Sequence, residues 1–325
     1  MTNGSTPFET VPPTPPAPPQ ADFAAAQAAW QRVSVVTVTH HSAGVISACL
    51  ASVAQAARVF VVDNASDDGT PDLVRRLLPA ATVIGNTIGR GFGNGCNQGL
   101  ERVETEFALL LGPDSTIDGA SLAGLVEAAD RWPDAGMVAP EIIAPDGHTE
   151  PSHNTCLLDR ITVDKGVERH PLPEGPICAD HLSGAVLLVR MTALRQVGFF
   201  DRNIFLYYED DDLSIRMRRG GHALILVPGT RATHIGGGSS RPSVHHRWEK
   251  FWHMAWSRLY IEDKYAGRQA ARRTALRLLP KLALKTLGYG LTLNKWKAIR
   301  DAARLCGTLG WLAGARAMPV IERES

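Results

Sequence analysis

Apolar positions along the chain fall into short β-branched runs separated by stretches of helical period. Residues 33–39 read Val-Ser-Val-Val-Thr-Val-Thr, as expected for a strand covered on both faces of a parallel sheet. A helical stretch over roughly 43–56 follows, then a second run at 59–62 that ends at Asp63-Asn64. The pattern next predicts a helix over 71–78, a short strand over 81–84 and an apolar run over 107–111 ending at Pro113-Asp114. Strands alternating with helices imply crossover units, hence an α/β fold with a mainly parallel central sheet flanked by helices. Polar residues just beyond the strand ends are where such sheets bind ligands.

Beyond Pro133 the alternation loosens, and the Pro-, Gly- and His-rich residues 140–180 predict long loops. A strand is expected over 183–189, a short helix near 192–197 and a helix over 212–219 stopped by Gly220-Gly221, where a C-terminal capping glycine belongs. One more strand is expected over 223–227, and from His245 the chain reads as helical, with breaks near Gly267 and Pro280. Three parts result: a Pro-rich tail over 1–30, an α/β domain over 31–244 and a C-terminal helical region over 245–325. The run Pro12-Pro13-Thr14-Pro15-Pro16 marks a tail too poor in apolar surface to order, so order is expected from Val33.

Composition narrows the class. An apolar fraction of 44% suits a globular chain, and 34 basic against 33 acidic residues give a net charge of +1, which offers no attraction to nucleic acid. Five scattered cysteines (Cys49, Cys96, Cys156, Cys178, Cys306) form no CxxC pair, which points to reduced thiols in a cytoplasmic protein. The N-terminus lacks a basic start followed by an apolar segment, and no apolar run reaches the roughly 18 residues of a membrane span.

Four features could carry chemistry. Residues 86–99 hold five glycines, which let backbone N–H groups approach a ligand or simply make a flexible turn. They form neither a GxGxxG fingerprint nor a GxxxxGK[ST] loop, which disfavours a dinucleotide-dependent oxidoreductase. Asp114, after the run at 107–111, suits a hard divalent cation that also holds phosphate, or is a turn residue. Glu209-Asp210-Asp211-Asp212 follow the apolar, aromatic Phe205-Leu206-Tyr207-Tyr208. Helix capping and an Asp212–Arg216 pair could account for two of these acids. A partly buried carboxylate among like charges has a raised pKa and can act as a general base. His234 opens a Gly-Ser loop at 236–240 and could ligate a metal or bond structurally.

In this order the segments resemble the inverting glycosyltransferases of family 2, with the GT-A fold, and within it the rhamnosyltransferase and galactofuranosyltransferase-like enzymes. Val61-Val62-Asp63-Asn64-Ala65-Ser66-Asp67-Asp68-Gly69-Thr70 is similar to the family's nucleotide-base motif, and 86–99 to its nucleotide loop. Residues 110–114 occupy the place of the DxD-type metal motif. Gly184 to Arg190, Gly198-Phe199-Phe200-Asp201 and 208–216 resemble the acceptor-side block. The resemblance implies donor contacts from Thr39, Asp63, Asn64, Gly89, Gly91, Asn97 and Pro113, and Mg2+ or Mn2+ on Asp114 and His234. It implies Glu209 and Asp210 as the catalytic acids, with Asp210 taking the acceptor proton in a single displacement. Its expected substrates are a nucleotide-diphosphate sugar, dTDP-rhamnose favoured, and a glycan or lipid-linked acceptor of cell-surface polysaccharide synthesis. A non-catalytic relative that binds nucleotide-sugar or glycan is the alternative. Two departures stand out: Gly112 where the family often has Asp or Asn, and His40-His41 in place of Tyr-Asn.

Between Lys264 and Arg304 eleven Lys and Arg residues face one acid, Asp301, with leucines interspersed. A basic amphipathic helix of this kind suits the inner face of an anionic membrane or packs on the domain with its basic face in water. Trp248, Phe251, Trp252 and Trp256 recur at helical spacing, as expected of a core-facing stripe or of the lining of an acceptor groove.

Overall fold

The computed structural model describes residues 23–154, 175–235 and 243–317. The proline run of the tail, Cys156 and the loop at 236–240 lie outside them. The first half runs α1 (Phe23–Gln31), β1 (Val33–Thr39), α2 (Ile46–Ser52), β2 (Arg58–Asn64), α3 (Thr70–Leu77), β3 (Thr82–Asn86), α4 (Phe92–Leu100) and β4 (Phe107–Leu111). β1 pairs in parallel with β2 and with β4, and β2 with β3. All seven β1 residues are buried, as its unbroken apolar run requires.

The chain continues with β5 (Ser115–Ile117), α5 (Gly119–Arg131), β6 (Ala135–Ile143), β7 (Thr149–Glu150), β8 (His153–Asn154), β9 (Ile177–Cys178), β10 (His181–Leu182), β11 (Val186–Arg190), α6 (Met191–Val197), α7 (Glu209–Arg219) and β12 (Ala223–His234). The main sheet has the order β3-β2-β1-β4-β11-β6-β12-β5. β11 runs antiparallel between β4 and β6, and β12 is parallel to β6 and antiparallel to β5. Cores lie on both faces. Val33 and Val35 pack with Trp30, Leu50, Leu122 and Leu125. Val36 and Val38 pack on the other side with Leu100, Leu194, Leu213 and Met217, following the two-residue alternation of a strand.

Three expectations are corrected. Residues 23–31, within the stretch expected as a tail, form the helix α1, because Trp30 is buried in the core and α1 closes on the start of α5. The glycine-rich segment is largely the helix α4 rather than a turn. A Cβ on Gly95 would lie 2.8 Å from Val38, and one on Gly99 2.5 Å from Val36, so these glycines let the helix lie directly on β1. Pro280 does not end a helix, because it sits on the exposed side of α9 (Arg268–Leu291), which follows α8 (Val244–Ala266) and precedes α10 (Lys295–Leu312). The break at Gly267 stands, with φ +89°.

The three C-terminal helices pack together around Trp256, Leu259, Ala271, Ala275 and Trp311. Trp256 is buried and Trp252 partly so, in keeping with a core-facing stripe. Among the described residues no helix is long and apolar enough to cross a membrane.

Candidate active site

The ends of β1 and β2 form one wall. Thr39 donates from Oγ1 to Asp63 Oδ1 at 2.8 Å, and the Ser66 N–H and hydroxyl donate to the same carboxylate at 2.9 and 2.7 Å. Asn64 donates to Gly91 O at 2.9 Å and accepts from Asn86 at 3.0 Å and from the Arg90 N–H at 3.3 Å. Asn64 therefore fixes the chain entering α4, while Asp63 ties the end of β1 to the turn at Ser66, and both are buried at the strand end. His40 bonds through Nδ1 to Asn64 O at 2.8 Å, and His41, at φ +51°, lies 2.9 Å from Asp67. Both histidines thus brace the same turn.

Asn97 and Gly91 serve the interior. Asn97 is buried, donates to Phe200 O and accepts from Phe200 N–H, both at 2.9 Å, so it clasps the loop ahead of α7. Gly91 has φ +80°, and a Cβ there would meet Phe205 O at 1.9 Å, whereas Gly89 has room around it. Gly91→Ala combines left-handed strain with a backbone clash, and is expected to destabilise the fold by roughly 3 kcal/mol. The urea midpoint reads this; an unchanged midpoint would refute the close approach.

A second cluster forms where β5 pairs with the end of β12, His234 opposite Ser115. Buried Asp114, after Pro113, accepts the Ile235 N–H at its backbone oxygen, and His234 Nε2 lies 3.7 Å from Asp114 Oδ1. His234 Nδ1 lies 3.0 Å from Glu150 Oε2. An Nδ1–H donated to Glu150 leaves the Nε2 lone pair facing Asp114, the tautomer a metal ligand needs. Imidazole nitrogen and carboxylate oxygen together fit a divalent cation. Glu150 lies in the stretch expected as loop, where no motif singled it out. Gly112 leaves little space at the turn, since a Cβ there would lie 3.1 Å from Asp114 Oδ1.

The acidic run is the first turn of α7, which starts at Glu209 rather than at Asp212. Tyr207 and Tyr208 precede it at φ +67° and +69°, a left-handed pair that each costs about 1–3 kcal/mol and is held by its surroundings. The four acids have different environments. Glu209 is buried, its Oε2 has no hydrogen-bond partner, and its neighbour across α4 is Gly93. Burial, with Asp210 and Asp211 close by, holds the Glu209 carboxyl well above the usual carboxylate range. Asp212 is fully buried and paired, with Arg216 Nε at 2.8 Å and Lys264 Nζ and Tyr265 Oη both at 2.6 Å. The expected Asp212–Arg216 pair is therefore present, extended by two groups from α8.

Asp210 keeps its side chain 25% exposed. Its Oδ2 accepts the Gly184 N–H at 3.3 Å and lies 3.3 Å from Nε2 of buried His181, while its Oδ1 accepts the Asp211 N–H at 3.0 Å. His181, Asp210 and Asp211 bring ligand-type atoms within 4.8 Å of one another. The Gly112 N–H donates to Ala185 O at 2.9 Å. The Gly184-Ala185 segment thus touches the Asp114 turn on one side and Asp210 on the other. His181, on the short β10 strand, carried no motif in the sequence.

The family model of glycosyl transferase family 2 matches residues 34–185, from within β1 to the Gly184-Ala185 segment. The chain is 29% identical over 231 residues to the N-acetylglucosaminyl-diphospho-decaprenol L-rhamnosyltransferase of Mycobacterium tuberculosis, across 62% of this chain and 75% of that one. Among solved structures, a mannosyltransferase from Pyrobaculum calidifontis in complex with GDP-Man and Mn2+ superposes with a TM-score of 0.52 at 18% identity, over 86% of this chain and 87% of that one. GalNAc-T7 with UDP, GalNAc and Mn2+ gives a TM-score of 0.50 at 15% identity, over 65% of this chain and 45% of that one. This chain therefore spans less than half of that enzyme, and at these identities both structures speak for the fold alone. With the strand order and strand-end site described above, residues 34–185 carry the match to glycosyl transferase family 2, on a chain with the GT-A fold.

Proposed function

We propose that this glycosyltransferase moves a sugar, with dTDP-rhamnose the favoured donor, onto a hydroxyl of a glycan or lipid-linked acceptor in cell-surface polysaccharide synthesis, with inversion. The observation that carries the reading is the shared Gly184-Ala185 segment, which holds the candidate base Asp210 beside the Asp114 turn. The name of the mycobacterial relative supports rhamnosyl transfer to a diphospho-polyprenol acceptor. Catalysis is assigned to residues 31–244, with the helices from 245 as an extension.

Asp210 accepts the proton of the acceptor hydroxyl, and the Gly184 N–H and His181 fix its carboxylate for that task. The acceptor oxygen then attacks the anomeric carbon as the bond to the nucleoside diphosphate breaks on the opposite face. One displacement gives inversion without a covalent enzyme intermediate. Glu209, whose buried carboxyl is held well above the usual carboxylate range, is assigned to shaping the turn that presents Asp210. Asp114 and His234 are the residues that would hold Mg2+ or Mn2+, which when bound offsets the charge of the departing diphosphate. Thr39, Asp63, Asn64, Gly89, Gly91, Asn97 and Pro113 frame the donor side, Asp63, Asn64 and Asn97 by fixing its walls.

Calorimetric titration of dTDP, UDP and GDP, each with and without Mn2+, tests the donor and the metal together. dTDP is expected to bind most tightly and only weakly without the ion. Asp114→Ala is expected to weaken Mn2+-dependent binding at least about tenfold and to leave metal-free binding unchanged. Tight metal-independent binding in both proteins would remove Asp114 from the metal site. Binding of UDP or GDP in place of dTDP would reassign the donor.

A further inference from the structure

The outward face of α9 carries a row that neither the fold nor the candidate site uses. Ala271, Ala275 and Leu282 turn inward at 0, 0 and 7% exposure, while Leu276, Leu284, Leu287 and Leu291 are 58, 72, 62 and 77% exposed. At 100° per residue these four leucines and Pro280 fall on one stripe opposite the buried face. At the turn into α10, Leu293 and Trp296 extend the apolar surface, both exposed. Arg277, Lys281 and Lys285 line one flank of the stripe, and Lys295 and Lys297 flank its tip, all exposed. From Lys264 to Arg300 there are ten Lys and Arg residues and not one Asp or Glu.

Exposed leucines at this spacing lose free energy in water, and a soluble helix in a bundle would present polar residues there. Two occupants would cover them. A second copy of the chain, meeting its own face antiparallel about a two-fold axis, would set Arg277, Lys281 and Lys285 of both copies against each other with no acid of the stretch to offset them. An anionic bilayer surface accepts both parts at once, the leucines among the acyl chains and the basic flank among lipid phosphates.

We propose that the outward face of α9 and the α9–α10 turn dock this protein on an anionic phospholipid bilayer, lying in the interface without crossing it. The docking rests on these side chains and stands apart from the donor and acceptor assigned above. The full chain is sedimented with vesicles of phosphatidylcholine alone and of phosphatidylcholine with phosphatidylglycerol. Partition onto the anionic vesicles is expected, with little onto the neutral ones and a fall as salt is raised. The combined variant Leu284→Ser, Leu287→Ser, Leu291→Ser is expected to lower the partition coefficient at least about tenfold. Its melting temperature should equal that of wild type, because the replaced side chains are exposed. Lys281→Glu with Lys285→Glu is expected to weaken binding to the anionic vesicles. The proposal is overturned if wild type stays in the supernatant with anionic vesicles, or if the leucine variant partitions as wild type does. Concentration-dependent dimerisation that the leucine variant abolishes, without vesicle binding, would assign the face to a second copy and also overturn it.

Discussion

Asp210→Asn is expected to lower the turnover number on the order of a thousandfold, the usual contribution of a positioned general base. The amide oxygen of Asn can still accept the Gly184 N–H that fixes the side chain at 3.3 Å, while the Asp211 N–H loses its acceptor, so the side chain keeps its place and basicity is the main loss. Nucleotide affinity is therefore expected to stay within about twofold of wild type, since the donor wall is built from other residues. Steady-state transfer assays together with calorimetric nucleotide binding separate the two quantities. Wild-type turnover in the Asn variant would exclude Asp210 as the base. A matching loss of nucleotide affinity would show that Asp210 serves the donor side.

Asp212→Ala should have the largest effect on stability, a loss of roughly 3–5 kcal/mol, as expected when one partner of a buried ion network is removed. Asp212 is fully buried and faces Arg216, Lys264 and Tyr265. Lys264 also donates to Asp201 at 2.6 Å, so alanine leaves Lys264 with one carboxylate and Arg216 with only the Val197 and Gly198 carbonyl oxygens. Because Lys264 and Tyr265 belong to α8, the same substitution should loosen the C-terminal helices from the α/β domain. A fall in the urea midpoint and earlier proteolytic cleavage after residue 244 would register both effects. A midpoint equal to that of wild type would mean that this network adds nothing net to stability.

These two neighbours show how far the sequence reached into the site. Four consecutive acids after an aromatic run announced a cluster that asks for an explanation, and i+4 spacing named Arg216 as a partner. The division of roles among the acids was not legible. Adjacent positions on a helix point about 100° apart, so Glu209 turns inward, Asp212 meets α8, and Asp210 meets Gly184. His181 and Glu150 were invisible because each meets the site through a residue distant in the chain, Asp210 and His234 respectively. Neither contact leaves a local pattern.

The local sequence by itself determined the strands β1, β2 and β4, because a strand covered on both faces must be apolar without interruption, and that demand is written in consecutive residues. It also determined the chemistry available at their ends, through Asp63-Asn64 and Pro113-Asp114. Tertiary structure decided the rest. Glycines with low helix propensity became α4 because Val36 and Val38 of β1 leave no room for a Cβ. Trp30 recruited α1 into the core ahead of the expected start of order. His234 came to face Asp114 only because β12 runs past Pro228-Gly229 to pair with β5. Each outcome turns on contact between segments far apart along the chain, where packing and pairing outweigh local preference.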